Sequence, residues 1–364
     1  MISGADIVSL SWNGAKTAQR KALGWTDLAM KEKEVKFRDD IPLKKRLSFY
    51  RNGFATSSGI LYNFDKYSFE DYLNDVNMRH RKRANGHEQA FPTRKYPFHL
   101  LMESSHPEYL PELYGLVTKG KAYTKDLVLK NEDAEDWLRR KLKVHGKIVI
   151  KPENGNGGVG VYVLVWNGSD VSITGGPETI GDLMSKIGDS VYIAVEFVEQ
   201  ADYAASIYPD SVNTIRLITL WDYDLDEPYV ADAIHRFGND GSAPVDNWDS
   251  GGLSVGVDLD SGTLLQAVRF PESTVVEWYR EHPNTGAEIE GIKIPQWDRI
   301  CTACCEMAET FWYVPMNAWD IVLSHGNIKV IEGNSRPTIE MMQVHRPFLA
   351  DKRTRRFFEY HDAF

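Results

Sequence analysis

"KPENGNGGVGV" runs from Lys151 to Val161 and decides the fold. Gly155, Gly157, Gly158 and Gly160 follow a lysine, and the lysine follows the apolar run "IVI". Three kinds of phosphate loop compete for this pattern. A P-loop carries Gly-Lys-Ser/Thr at its end, so that the lysine reaches phosphate and the hydroxyl reaches magnesium. Here the lysine comes before the loop. A dinucleotide fingerprint needs GxGxxG between a strand and a helix, so that a helix N-terminus faces the pyrophosphate. "GNGGVG" has that spacing, but "VYVLVW" follows and reads as strand. What remains is a strand–glycine loop–strand hairpin. Its amides can fold over a triphosphate, because glycine lets the main chain approach closely. Taken alone, the same pattern also describes a plain hairpin tip.

A second stretch, "AWDIVLSHGNIKVIEGNSRP" at 318–337, bears on the choice. Ser324, His325 and Gly326 suit a three-residue hairpin loop with glycine in the left-handed position. That loop pairs Leu323 with Asn327 and Asp320 with Val330. It places Asp320, Glu332 and Asn334 on one face, since side chains alternate with period two. A two-residue loop would separate Asp320 from Glu332. Two carboxylates and an amide oxygen on one face are hard oxygen ligands suited to magnesium, which also takes phosphate oxygens. Both carboxylates sit in apolar strands, where an unpartnered charge is costly. Salt bridges at the strand ends would also relieve that cost.

The chain has 364 residues, is 42% hydrophobic and carries a formal net charge of -10. That length suits two or three domains or subdomains with a sizeable core. The dispersed acidity argues against nucleic acid or anionic membrane as a general partner, so any phosphate site must be local. Cys301, Cys304 and Cys305 lie in "DRICTACCEMAETF", which reads as a helix. No second ligand pair for zinc exists, so they read as packing residues in a reducing compartment. No basic, apolar leader and no membrane span is evident, which suggests a cytoplasmic protein.

Residues 1–94 read as a mainly helical region, with a helix started by Ser68 and basic clusters at 44–46 and 79–83. "QAFPTRKYP" at 89–97 suggests a boundary. "AEDWLRRKLKVHG" reads as a helix ended by Gly146. Strands follow in "KIVIKP", "VGVYVLVW", "SVYIAVEFV", "TIRLITLW", "LSVGVDL" and "TLLQAV", with a turn at 259–263 and a helix at about 296–312. The expected division is 1–94, a small lid subdomain over 95–200 with the loop and hinge, and a large subdomain over 201–364 with the metal site. The fold class is α+β.

The lysine before a glycine hairpin, the acidic "VEFVEQ" and the late Asp…Glu-x-Asn resemble the ATP-grasp superfamily. "VEFVEQADYAASIYPDSVNTIRLITL", "DNWDSGGLSVGVDLDSGTL" and "AWDIVLSHGNIKVIEGNSRP" resemble its sugar-transfer-associated family, over about residues 95–345. The resemblance implies an ATP-grasp fold of two α+β subdomains, with ATP and two magnesium ions as cofactors. Lys151 would contact phosphates under a cover formed by Asn154, Gly155, Asn156, Gly157, Gly158 and Gly160. Lys95 would be the second, upstream lysine. Glu196, Phe197, Val198 and Glu199 would form the adenine hinge, with Glu199 or Asp202 on the ribose. Arg216 would hold a phosphate or the substrate carboxylate, and Arg236 and Asn247 would steady the transferred phosphoryl group. Asp320, Glu332 and Asn334 would bind magnesium.

Phosphoryl transfer needs positioning and charge neutralisation more than covalent help, and these residue types supply both. The resemblance thus implies an ATP-dependent carboxylate–amine ligase working through an acyl phosphate. Its acid and amine substrates would be small molecules, such as a uronic acid or an amino acid joined to a sugar. Two alternatives stay open: a kinase that stops after phosphorylation, and a nucleotide-binding module without turnover.

Overall fold

The computed structural model describes residues 22–78, 84–86, 93–124, 131–155 and 157–363. Asn156, the basic cluster at 79–83 and positions 89–92 of the expected boundary lie outside them. The chain is of mixed α and β class, with two seven-stranded sheets.

The first described segment forms helices α1 (22–34), α2 (Leu43–Arg51) and α3 (Thr56–Leu61). Among the described residues the helix expected from Ser68 does not form. A 3-10 turn, Phe69–Asp71, stands at its start, where the Ser68 N–H and hydroxyl both donate to Asp71 at 2.9 Å. A competing partner takes the backbone that would continue it. The buried Gln343 accepts from the Leu73 N–H at 2.8 Å and donates to the Leu73 carbonyl at 3.0 Å.

The smaller sheet contains β1 (Leu113–Thr118), β2 (Lys121–Thr124), β3 (Asn131–Asp133), β4 (Lys147–Pro152), β5 (Tyr162–Trp166), β6 (Val171–Thr174) and β7 (Tyr192–Glu196). Helix α4 (Lys95–Ser105) precedes it, while α5 (Ala134–His145) and α6 (Ile180–Ile187) cross over it. The strand order is β3-β2-β1-β7-β4-β5-β6, antiparallel throughout. Asp133 caps α5 by accepting from the Glu135 and Asp136 N–H groups, and Gly146 ends it at φ +76°. Trp137, Leu138, Leu183 and Ile187 from the helices bury Ile148, Ile150 and Leu164 of the sheet.

After α7 (Asp202–Ile207), the larger sheet contains β8 (Ile215–Asp222), β9 (Glu227–Phe237), β10 (Leu253–Val257), β11 (Leu264–Arg269), β12 (Trp278–Tyr279), β13 (Met316–Ser324) and β14 (Asn327–Asn334). Its order is β12-β11-β10-β9-β8-β13-β14, again antiparallel. Helix α8 (Trp297–Thr310) packs Ile300, Cys304 and Met307 on one face. Burial pushes the Cys301 thiol up to about 12 and the Cys305 thiol up to about 11, so these cysteines are protonated packing groups. The other face is shared by α9 (Glu340–Gln343), α10 (Lys352–Tyr360) and the N-terminal region, where Phe49, Phe54, Tyr62 and Leu73 join Ile218, Ile234 and Phe358 in one core. Among the described residues no helix is long and apolar enough to cross a membrane.

The β13–β14 hairpin corrects the expected register. Ser324 pairs with Asn327, so the loop has two residues, His325 at φ +46° and Gly326 at φ +85°. Positive φ at both positions is the turn geometry that matches strand twist. Ile321 then pairs with Val330, but Asp320 pairs with Glu332, because Ile331 is an extra residue on β14. The bulge cancels the shift that a two-residue loop imposes. Asp320 and Glu332 therefore share a face as direct cross-strand neighbours.

Candidate functional site

The β4–β5 hairpin carries the glycine loop over the edge of the larger sheet, and a cavity lies between. Lys151 is the last residue but one of this hairpin's first strand, paired with Ile193 of β7. Its Nζ donates to the Ile331 carbonyl at 3.0 Å. The bulge thus turns a main-chain oxygen towards the lysine that precedes the loop. Burial and the nearby Lys95 charge lower the Lys151 ammonium to about 8, against the opposing pull of Glu332 and Asp320. Lys95, at the start of α4, donates from Nζ to the Gly155 carbonyl at 2.7 Å and lies 3.5 Å from Glu332 Oε1. Two lysines and one carboxylate meet under the loop.

The loop rests on the opposite side of the cavity. Asn247 Nδ2 donates to the Gly157 carbonyl at 3.1 Å. Gly158 has φ +74°, and a Cβ there would come within 2.8 Å of Val245 Cγ1. Both the dihedral and the clearance demand glycine.

A charged row crosses the larger sheet. Glu332, Asp320 and Arg216 are successive cross-strand neighbours on β14, β13 and β8. Arg216 grips Asp320 with two bonds, Nε to Oδ1 at 2.8 Å and Nη2 to Oδ2 at 2.7 Å. Arg236 Nη2 adds a third to Oδ2 at 3.0 Å. Arg236 also meets Asp246 at 3.2 Å and donates from Nε to Thr214 Oγ1 at 2.9 Å, while the Thr214 N–H donates to Asp246 at 2.9 Å. Arg216, Arg236, Asp246 and Asp320 are buried, and Glu332 is half-buried. Burial pushes the Asp320 carboxyl up, but the two guanidinium groups outweigh it and hold it at about 2. Burial raises the Asp246 carboxyl, partly offset by Arg236.

The cavity therefore assembles Lys95, Lys151, Gly155, Gly157 and Gly158 with Glu196, Phe197, Val198, Arg216, Arg236, Asn247, Asp320, Glu332 and Asn334. Val149, Val163, Val195 and Ile331 add an apolar slot beside residues 196–198. Asn154 and Gly160 face a separate recess on the outer side of the loop. Glu199 and Asp202, expected on a ribose, do not line the cavity. Glu199 is held outside by Lys147 at 3.0 Å, and Asp202 is exposed at the start of α7. Thr214 and Asp246 were not expected. "VNTIR" and "VDNW" placed them beside residues that were, and period two along a strand puts Thr214 on the Arg216 face.

The oxygen donors differ in what they can offer magnesium. Asn334 Oδ1 accepts from the Arg336 N–H at 3.0 Å and keeps a lone pair, and Glu332 is partly open to the cavity. Asp320 is engaged by two arginines, so only one lone pair of Oδ1 remains. Among the described residues no group of three or more His, Cys, Asp or Glu forms a metal site. Glu332 and Asn334 fit an ion whose shell is completed by phosphate and water. Asp320 anchors the arginine pair and keeps one lone pair for an ion.

Two antiparallel sheets holding a cleft under a glycine hairpin define the ATP-grasp class. The chain belongs to the sugar-transfer associated ATP-grasp family, which it matches over residues 103–355. Solved structures are more distant. D-alanine–D-alanine ligase from Bacillus anthracis is 13% identical over 75% of this chain and 69% of its own, with a TM-score of 0.39. D-alanyl-alanine synthetase A from Vibrio cholerae is 11% identical over 74% and 66%, with a TM-score of 0.40. N5-carboxyaminoimidazole ribonucleotide synthetase, in an ADP complex, is 10% identical with a TM-score of 0.39; the match takes in 69% of this chain but 46% of that one. No curated protein of similar sequence was found.

Proposed function

We propose that the chain is an ATP- and magnesium-dependent ligase that joins a carboxylic acid to an amine through an acyl phosphate. One observation carries this reading: the two lysines, the glycine loop, the arginine pair and the Glu332–Asn334 donors converge on one cavity with an apolar slot. The slot suits a base stacked between aliphatic side chains, with the hinge 196–198 along its edge. Lys151 and Lys95 would lie along the phosphates, and Arg216 and Arg236 would face the transferred group. Magnesium would supply the positive charge that screens the phosphates when bound at Glu332 and Asn334. The cavity lining has four cationic side chains and four carboxylates, so it does not neutralise a triphosphate by itself. That balance supports a metal requirement, with two ions as the resemblance implies. The family's link to sugar transfer supports a sugar acid or an amino acid as substrate, in the cytoplasm where ATP is at hand.

The reaction makes a direct test. ADP release should depend on both an acid and an amine, and hydroxylamine in place of the amine should give an acid hydroxamate. ADP formation indifferent to every amine, with a phosphorylated hydroxyl as product, would make the protein a kinase.

The loop has its own test. Gly158→Ala forces a side chain into a left-handed conformation at a cost of about 1–2 kcal/mol and lifts the loop from Val245. ATP affinity should fall roughly 5- to 30-fold. The melting temperature should barely move, since the loop lies outside the cores. Unchanged affinity, read by calorimetry, would remove the loop from the nucleotide site.

A further inference from the structure

A second cavity of about 770 Å³ lies across the short segment 247–251 from the first. Its size is that of a small-molecule site, in the range of roughly 300–1,000 Å³. Its walls come from the end of α1 and the turn after it, from α3, from the segment 248–251, from the loop after β11 and from the start of α9. Asn247 lines the first cavity and Asp249 the second, two residues apart. The two cavities approach again at α9: Glu340 lines the second, and the sulfur of the next residue, Met341, is 3.8 Å from Arg216 Nη1.

The second cavity differs in charge from the first. Four carboxylates line it, Glu34, Asp249, Glu272 and Glu340, against Lys31 and Lys36. Lys31 is already held by Asp75 at 2.7 Å, Ser58 at 2.9 Å and Glu340 at 3.1 Å. The field inside is therefore acidic, and it repels a carboxylate or phosphate. Aromatic rings complete the lining. Phe270 and Phe37 are on the wall, and the fully buried Trp248 backs Phe270 edge to face at 5.1 Å. Carboxylates with aromatic faces are the chemistry that holds an organic cation. Ser57, also on the wall, has a buried hydroxyl with no hydrogen-bond partner among the described residues.

We propose that this cavity binds the amine co-substrate as its ammonium form, anchored by Asp249 and Glu340 against Phe270 and Phe37; the ammonium passes one proton to a cavity carboxylate before its nitrogen attacks the acyl phosphate and phosphate leaves. The term co-substrate rests on the ligase reading, whereas the preference for a cation is a property of the cavity. The acid would then be left to the arginine side, where Arg216 and Arg236 lie.

Ligand-observed NMR and calorimetry on the full chain would test it with ethanolamine, L-alanine amide and D-glucosamine as cations. N-acetyl-D-glucosamine and D-glucuronate serve as neutral and anionic counterparts of the last. At least one ammonium probe should bind, at least about tenfold tighter than its uncharged form. Asp249→Asn, an exposed substitution, should weaken it about tenfold while ATP affinity stays within about twofold. Glu340→Gln should weaken it similarly. Preference for glucuronate, ammonium binding indifferent to both carboxylates, or no binding by any of the three cations would overturn the proposal. ATP binding by the wild type is scored separately. Its loss counts against the ligase reading, while the cation preference is still decided by the probes.

Discussion

Replacing Asp320 with asparagine should lower the melting temperature by roughly 6–20 °C. The carboxylate accepts three bonds from Arg216 and Arg236, and all three residues are buried. Asparagine keeps the size but offers one oxygen and turns an NH₂ group towards a guanidinium. Removing one partner of a buried pair costs about 3–5 kcal/mol, because the remaining charge is left without compensation. Each kcal/mol moves the transition by about 2–4 °C in a domain of 150–250 residues. The ionisation gives an independent readout. The folded carboxyl, held at about 2, lies below its ordinary value. Its stabilisation is thus complete above about pH 4 and is lost as pH falls towards 2. Asp320→Asn should lack that acid-dependent loss. A variant that melts within about 1 °C of wild type, with the same acid limb, would mean that the arginine pair is held by something else.

The strands that carry the site were legible because their alternation is strong. "KIVIKP", "TIRLITLW" and "AWDIVLS" all form strands where expected. β1, β2, β3, β6, β9 and β12 were not read. β9 carries Asp232, His235 and Arg236 in a buried run, so its polar residues mask its apolar period. The metal-side register was misread for a physical reason. Turn length is a local property that glycine and histidine can reveal, but the bulge at Ile331 serves a distant partner, the Lys151 ammonium about 180 residues earlier. The same limit hid the link between Arg216 and Asp320. Each looked like a lone charge in an apolar strand, and only the pairing of β8 with β13 makes them one unit. Glu199 shows the opposite limit: its place in the chain was legible, but the pairing that draws its side chain to Lys147, outside the cavity lining, was not.

The sharpest separation of structural from metal-binding roles comes from Glu332→Gln. Glu332 faces the cavity beside Asn334 and lies 3.5 Å from Lys95. If it holds magnesium, the variant should lose the magnesium-dependent part of ATP affinity, about 10- to 100-fold; that is about 1.4–2.8 kcal/mol, the scale of one charge-assisted ligand. Affinity for ATP in the absence of magnesium should move the other way or stay level. The substitution removes one carboxylate from a lining of four cations and four carboxylates, which leaves the cavity more positive towards a triphosphate. A merely structural Glu332 gives a different result. Loss of its contact with Lys95 would loosen the loop, since Lys95 also holds the Gly155 carbonyl at 2.7 Å. Affinity would then fall equally with and without magnesium. Calorimetric titrations of ATP into both proteins, with magnesium and with a chelator, distinguish the two by the sign of the metal-free change. Equal losses in both conditions would return Glu332 to the lysine network and require the metal to be held elsewhere.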